Sequence, residues 1–197
     1  MKNKIILILG AFNPPTTAHI EMGRALHEDY PDADICYVIA NADYVENWKT
    51  PQTILPMNIR AKLLLDAIDG RYASVSLFEG SKTSDGKTIT TARHFRDKGY
   101  DVTLCIGSDN IQSIPNWYEG LKLAEEFHFI VFCRKTEDMN IIPESMMHLK
   151  DHFIFKDHVL SNISASEIRK ASSSGNLETV KQGIPSNVYE FLHNHPY

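Results

Sequence analysis

Long apolar runs are missing from this chain. Ile5 to Leu9 is a short one, soon followed by Asn13, Pro14 and Pro15. No later stretch approaches the roughly 20 apolar residues of a membrane-spanning helix. The opening MKNKIILILGAF is therefore a poor secretory leader, and the expected location is cytoplasmic, with no membrane partner. Cysteine is sparse. Cys36, Cys105 and Cys133 are widely spaced, odd in number, and each lies in a β-like apolar run. That pattern excludes a disulfide or zinc framework and predicts reduced core thiols. Positive charge is also in short supply: 20 Lys and Arg against 25 Asp and Glu leave a net charge of -5. A broad phosphate-tracking surface is excluded, so no nucleic-acid partner is expected, although a local basic pocket is allowed. His193 and His195 bring no further ligands, and no protein metal site is expected. Neither GxGxxG nor the Walker GxxxxGK[ST] occurs, which disfavours the ordinary dinucleotide fold and the P-loop.

What is present is a globular chain of 197 residues, 43% hydrophobic and 23% charged, enough for one sizeable core. Short β-like runs alternate with helical periods. Ile5–Leu9 is continuous, as in a parallel strand covered on both faces. Ala18, Met22, Ala25 and Leu26 then recur at helical spacing and predict a helix over 17–29. Further strands are predicted over 34–40 and near 73–78, 102–107, 127–133 and 152–156. Helices are predicted over 56–68, 88–98 and 117–126. Ser164 and Glu167 form a capping-box pattern for another helix, and Val188, Phe191 and Leu192 mark a last short one. The expectation is α/β: a single Rossmann-like open parallel sheet with helices on both faces, one domain over 1–197, and a small helical segment over about 163–197. The stretches 79–87 and 135–150 are the most loop-like and the expected mobile covers of a site.

Two motifs carry chemistry. GAFNPPTTAH, residues 10–19, lies where the first strand gives way to the first helix, the usual ligand edge of such a sheet. Gly10 lets the backbone approach a phosphate, the prolines stiffen the turn, and Thr16 and His19 bring a hydroxyl and an imidazole towards one anion. ISASEIR, residues 163–169, opens another helix. There Ser164, Ser166 and Arg169 make a second anion site, suited to a triphosphate tail.

Together these motifs resemble the signature of the nucleotidyltransferase superfamily, which opens with G-x-F-[DN]-P-x-[HT]-x-x-H and closes with I-S-[ST]-[ST]-x-I-R. Within that group the chain most resembles the nicotinate or nicotinamide mononucleotide adenylyltransferases. Residues 106–123 (IGSDNIQSIPNWYEGLKL) look like their G-[AS]-D…W segment, and residues 86–98 like their threonine-bearing helix start. The resemblance implies that Gly10, Ala11, Phe12, Asn13, Thr16, His19, Gly107, Asp109, Ile163, Ser164, Ser166 and Arg169 surround ATP. His19, Thr16 and Arg169 would carry catalysis, and Asn13, Lys49, Thr88, Asp109 and Trp117 would meet the acceptor. Thr16 and Asn13 follow the eukaryotic-type pattern. Ala18 and Ala165 depart from the motifs, Lys87 stands where an aromatic residue is usual, and Cys133-Arg134-Lys135 replaces Arg-Pro-Gly.

The implied reaction is in-line attack of an acceptor phosphate on the α-phosphorus of ATP, with pyrophosphate leaving. The acceptor is already ionised, so alignment and charge neutralisation suffice. Mg2+ is expected on the substrate phosphates and water. Nicotinate mononucleotide is the expected acceptor, with nicotinamide mononucleotide second. Trp117 has an indole face suited to a pyridinium, and the helix start at Thr88 has N–H groups suited to a carboxylate. Two alternatives stand beside it: a phosphopantetheine adenylyltransferase, and a non-catalytic nucleotide sensor on the same fold. The sequence leaves oligomeric state open, a homo-oligomer included.

Overall fold

The computed structural model describes residues 2–41, 54–68, 72–133, 139, 141–157 and 161–197. The chain runs through β1 (Asn3–Gly10), α1 (Thr17–Asp29), β2 (Ala33–Ile39), α2 (Met57–Ile68), β3 (Ser74–Ser76), α3 (Thr88–Asp97) and β4 (Tyr100–Gly107). It continues through the short α4 (Ser108–Ile111), α5 (Gly120–Glu126), β5 (His128–Phe132), β6 (Phe153–Lys156), α6 (Ala165–Ser173) and α7 (Ser186–Asn194).

The strands form a six-stranded sheet in the order β3-β2-β1-β4-β5-β6, every neighbouring pair parallel. The chain builds outwards from β1 in one direction, then returns to start the other half at β4. The crevice above the carboxyl ends of β1 and β4 is therefore the topological switch point, where open α/β sheets bind ligands.

Strand periodicity divides the core. On one face Ile5 and Leu7 of β1 join Val102, Leu104 and Ile106 of β4 beneath Ile89, Ala92 and Phe95 of α3. On the other, Ile6 and Ile8 join Ile35, Tyr37 and Ile39 of β2 beneath Met22 and Leu26 of α1 and Leu64 and Ile68 of α2. Side chains alternate faces along a strand, so a run such as Ile5–Leu9 serves two helical layers at once. A third cluster sets Leu63 of α2 against Ile168 of α6, Leu177, Ile184, and Val188 and Leu192 of α7. It fastens the helical segment near the end of the chain to the α1/α2 side of the sheet.

Departures from expectation are local. The helix expected from 117 begins at Gly120, because Glu119 is left-handed (φ 51°) and Gly120 rests on the Ile114 carbonyl with no room for a Cβ. The strand expected over 73–78 is only Ser74–Ser76. The 79–87 loop, expected to be mobile, is tied down. Glu79 is buried, accepting from Thr91 Oγ1 (2.9 Å) and the Asn41 N–H (3.4 Å), and Asp85 accepts from the Lys87 N–H (3.0 Å). In the second loop-like stretch, Glu144–His152 is a 3-10 segment that sends Met146 into the core, while residues 134–138 and 140 lie outside the described ones. The three cysteines are buried and form no disulfide among the described residues. No helix among the described residues is long and apolar enough to cross a membrane.

Candidate functional site

A cavity of about 250 Å³ opens at the switch point. Its walls are the end of β1 and the following turn (Gly10, Ala11, Asn13), the first turns of α1 (Thr16, His19), the start of α4 (Gly107, Asp109), and the start of α6 (Ser164, Ser166, Arg169). Residues more than 150 positions apart thus share one wall, and the two motifs meet across it.

The opening motif is set by α1. Thr16 is the N-cap: its Oγ1 accepts from the His19 N–H, and His19 Nδ1 accepts from the Thr16 N–H at 3.0 Å. This is a capping box with histidine in the place usually held by Glu or Gln. A backbone N–H can only donate, so Nδ1 is the unprotonated nitrogen and the neutral ring carries its proton on Nε2. His19 is therefore a fixed donor on the cavity wall.

Phe12 lies beneath, its ring edge-on to His19 (centroids 5.0 Å) and to Tyr37 (5.6 Å). It is 1% exposed and does not line the cavity, and its ring supports His19 from beneath. Its φ of 47° is a strained backbone state for an aromatic residue, held by this packing. Gly10 serves the same packing: a Cβ there would fall 3.0 Å from the Phe12 ring.

The closing motif is set by α6. Ser164 caps it, accepting from the Glu167 N–H at 3.2 Å while giving its own hydroxyl to Glu167 Oε2 at 2.6 Å. The Ser164 hydroxyl thus bonds within the capping box, while the residue itself lines the cavity. Ser166 differs. Its Oγ accepts from Arg169 Nη2 at 2.9 Å, so its proton remains available to a ligand. Ile163 lies off the cavity wall, its side chain packing against Gly183 beside the third cluster.

Arg169 joins the two motifs. Its Nη1 donates to the Asn13 carbonyl at 2.7 Å, across 156 positions of chain. Asn13 is buried, with Oδ1 accepting from the Leu55 N–H and the Tyr197 hydroxyl, both at 3.0 Å. Below it, the fully buried Arg60 donates to the carbonyls of Ala11 (2.6 Å), Ala40 (3.0 Å) and Leu55 (2.8 Å). Arg60, Glu79 and Tyr197 were not foreseen from sequence. Only Arg60 left a signal, a charge on the helical face of Leu64 and Ile68 at i, i+4 and i+8.

Of the expected acceptor residues, Asn13 and Asp109 line this cavity, whereas Thr88 and Trp117 stand apart from it. Gly107 makes room for Asp109, since a Cβ on Gly107 would sit 2.5 Å from Asp109 Oδ1. Thr88 begins α3 and the Trp117 segment follows α4, both on the carboxyl edge of the sheet but off the cavity wall. The Trp117 ring is half-buried, its Nε1 donating to Ser113 Oγ at 3.0 Å. Arg93 of α3 reaches Glu119 (3.1 Å) and Glu126 (2.5 Å), which sets the helix bearing Thr88 against the segment bearing Trp117. Lys87 Nζ lies 3.8 Å above the Tyr118 ring and 3.4 Å from Asp85. Lys49 and Arg134 lie outside the described residues.

Among known proteins, the cytidylyltransferase-like family model matches residues 7–171. A probable nicotinate-nucleotide adenylyltransferase of Pseudothermotoga lettingae is 30% identical, over 86% of this chain and 85% of that protein. One of Acholeplasma laidlawii is 27% identical, over 94% of this chain and 95% of its own. Among solved structures, Plasmodium falciparum nicotinic acid mononucleotide adenylyltransferase complexed with NaAD superposes with a TM-score of 0.78. It is 21% identical, and the match covers 98% of this chain and 96% of that one.

Proposed function

Since the chain belongs to the cytidylyltransferase-like family, we propose that it is an adenylyltransferase joining AMP from ATP to nicotinate mononucleotide, with release of pyrophosphate. The observation that carries this reading is the wall where His19, Ser166 and Arg169 converge on one cavity from two helix starts. Helix N-termini favour anions, and a guanidinium and an imidazole N–H add directed donors.

In the proposed reaction the acceptor's phosphate oxygen attacks the α-phosphorus in line, the bond to the pyrophosphate oxygen breaks, and that oxygen departs with the charge. The ionised acceptor has no proton to remove, so no general base is required. His19 donates from Nε2 to charge building on the reacting phosphate, with the ring already locked by its bond to the Thr16 N–H. Arg169 and the Ser166 hydroxyl hold the β- and γ-phosphates. Among the described residues Asp109 is the one carboxylate on the cavity wall, and no cluster of three or more His, Cys, Asp or Glu exists. Such a donor set fits Mg2+ carried by substrate phosphates and water, where it would neutralise phosphate charge.

The acid form of the acceptor is favoured by the two relatives, both named for nicotinate nucleotide. The half-buried Trp117 offers its ring to the pyridinium, and the start of α3 at Thr88 offers N–H groups to the carboxylate. The buried thiols fit a reducing cytoplasm. A panel of nicotinate mononucleotide, nicotinamide mononucleotide and phosphopantetheine, each with ATP and Mg2+, tests the proposal by pyrophosphate release. The acid mononucleotide is expected to show the highest kcat/KM. Turnover of phosphopantetheine alone, or of no acceptor at all, would overturn it.

A further inference from the structure

Tyr197 is a long way in sequence from either motif, yet it touches the elements of both. Its hydroxyl donates to Asn13 Oδ1 at 3.0 Å, and its N–H donates to Ser172 Oγ at 3.2 Å. Asn13 belongs to the opening motif, and Ser172 is buried on α6, three residues beyond Arg169. Arg169 in turn donates to the Asn13 carbonyl at 2.7 Å. The contacts close a ring: Tyr197 to Asn13, Asn13 to Arg169, Arg169 along α6 to Ser172, and Ser172 back to Tyr197.

We propose that Tyr197 is a positioning residue for ATP, acting through Asn13 on the Arg169 guanidinium. The inference rests on the reading of the cavity as the ATP site.

The chemistry of each contact supports the ring. Leu55 N–H can only donate, so the Asn13 amide must present its oxygen to it, and the same oxygen receives the phenol. With the side chain held on both sides, the Asn13 carbonyl is fixed where Arg169 Nη1 meets it. Nη1 then points at the turn, Nη2 at Ser166, and the planar guanidinium keeps one orientation at the cavity wall. The phenol must stay protonated to donate. Burial pushes its ionisation well above the ordinary tyrosine value, while the charges of Arg169 and Arg60 pull it down. Desolvation is the larger effect, so the donor persists at neutral pH. Tyr197 also packs against the third cluster, whose buried members include Leu177 and Leu192, which gives it partners independent of the hydroxyl. Removing only the hydroxyl should therefore leave the fold in place.

The test compares Tyr197→Phe, Arg169→Lys and the double variant. KM values for ATP and for nicotinate mononucleotide, kcat, thermal melting, and equilibrium binding of a non-hydrolysable ATP analogue with Mg2+ would be measured for each. Tyr197→Phe is expected to raise the KM and the analogue's Kd by about 5- to 10-fold, the worth of one hydrogen bond. The acceptor KM and the melting temperature should hardly move. In the Arg169→Lys background the same change should have less than about a 2-fold effect, because the group that Tyr197 positions has already lost its fork. Ser172→Ala, which frees only the Tyr197 backbone, should shift ATP in the same direction by a smaller factor, and it serves if Tyr197→Phe does not fold. Unchanged ATP binding in Tyr197→Phe would overturn the inference. So would an equal effect of Tyr197→Phe with and without Arg169, or a fall in melting temperature with all kinetic constants shifting together. A parent that binds the ATP analogue but turns over no mononucleotide would sink the acceptor assignment and leave the Tyr197 comparison readable in analogue binding.

Discussion

At the scale of single residues, one side chain in this site does two things at once. His19 accepts the Thr16 N–H through Nδ1 and so helps cap α1, and in the proposed function its Nε2 also donates to the reacting phosphate. Substitution can separate the two. His19→Ala loses both, so a fall in kcat would be mixed with a weakened helix start. His19→Asn keeps an acceptor near the Nδ1 position and loses the distal donor. Both variants are expected to lower kcat by about 10²-fold or more, with smaller changes in the ATP KM, because the donor acts on charge that builds in the transition state. Asn should restore most of the thermal stability that Ala loses. Recovery of kcat in His19→Asn to near the parent value would reduce His19 to a cap.

At the scale of elements, a buried carboxylate ties α3 to the backbone beyond β2. Glu79 accepts from Thr91 Oγ1 on α3 and from the Asn41 N–H just beyond β2. Burial pushes its carboxyl up to about 7; the bonds from Thr91 and Asn41 oppose that rise, Asp85 adds to it, and Arg60 opposes it. The ordinary carboxyl value is 4.5, so between about 4.5 and 7 the native chain holds a proton that the unfolded chain has released. Stability must then fall as pH rises through that window and level off above it. Glu79→Gln cannot ionise. Melting curves from about pH 4.5 to 8 should therefore show the parent losing ground to the variant as pH rises. A difference that stays constant across the window would mean that Glu79 ionises in the native state as it does in water. The Gly, Ser, Lys and Asp content of 79–87 is that of a turn and predicts a mobile loop. One buried residue, chosen by its neighbours and not by its local pattern, decided otherwise.

At the scale of the whole molecule, the cavity needs two parts of the fold to be held together. Its first wall is built on β1 and β4, and its second on α6, which is fastened to α2 by the third cluster. Leu192 of α7 is fully buried there, against the same cluster as Ile168, the neighbour of Arg169. Leu192→Ala is expected to cost about 2–5 kcal/mol in urea unfolding, from lost transfer energy and the cavity left behind. A cost below about 1 kcal/mol would mean that the segment is not integral to the cooperative fold.

The sequence by itself determined the order of strands and helices, because apolar period is a local property set by which faces must be covered. It also determined both helix starts that line the cavity, since a cap followed at a fixed offset by His19 or Arg169 is a local pattern. His19, Ser166, Arg169 and Asp109 all reach the cavity as their motifs implied. Tertiary structure alone decided that Phe12 and Ile163 support the site from below and behind, and that the Ser164 hydroxyl is consumed by Glu167. It alone brought Arg60 and Tyr197 to the opening turn. These are contacts across 49 and 184 positions of chain, and their partners are in part backbone carbonyls, which every residue type carries alike. No spacing rule marks such a partner; only the fold, by bringing β1, α2 and α6 to one crevice, selects it.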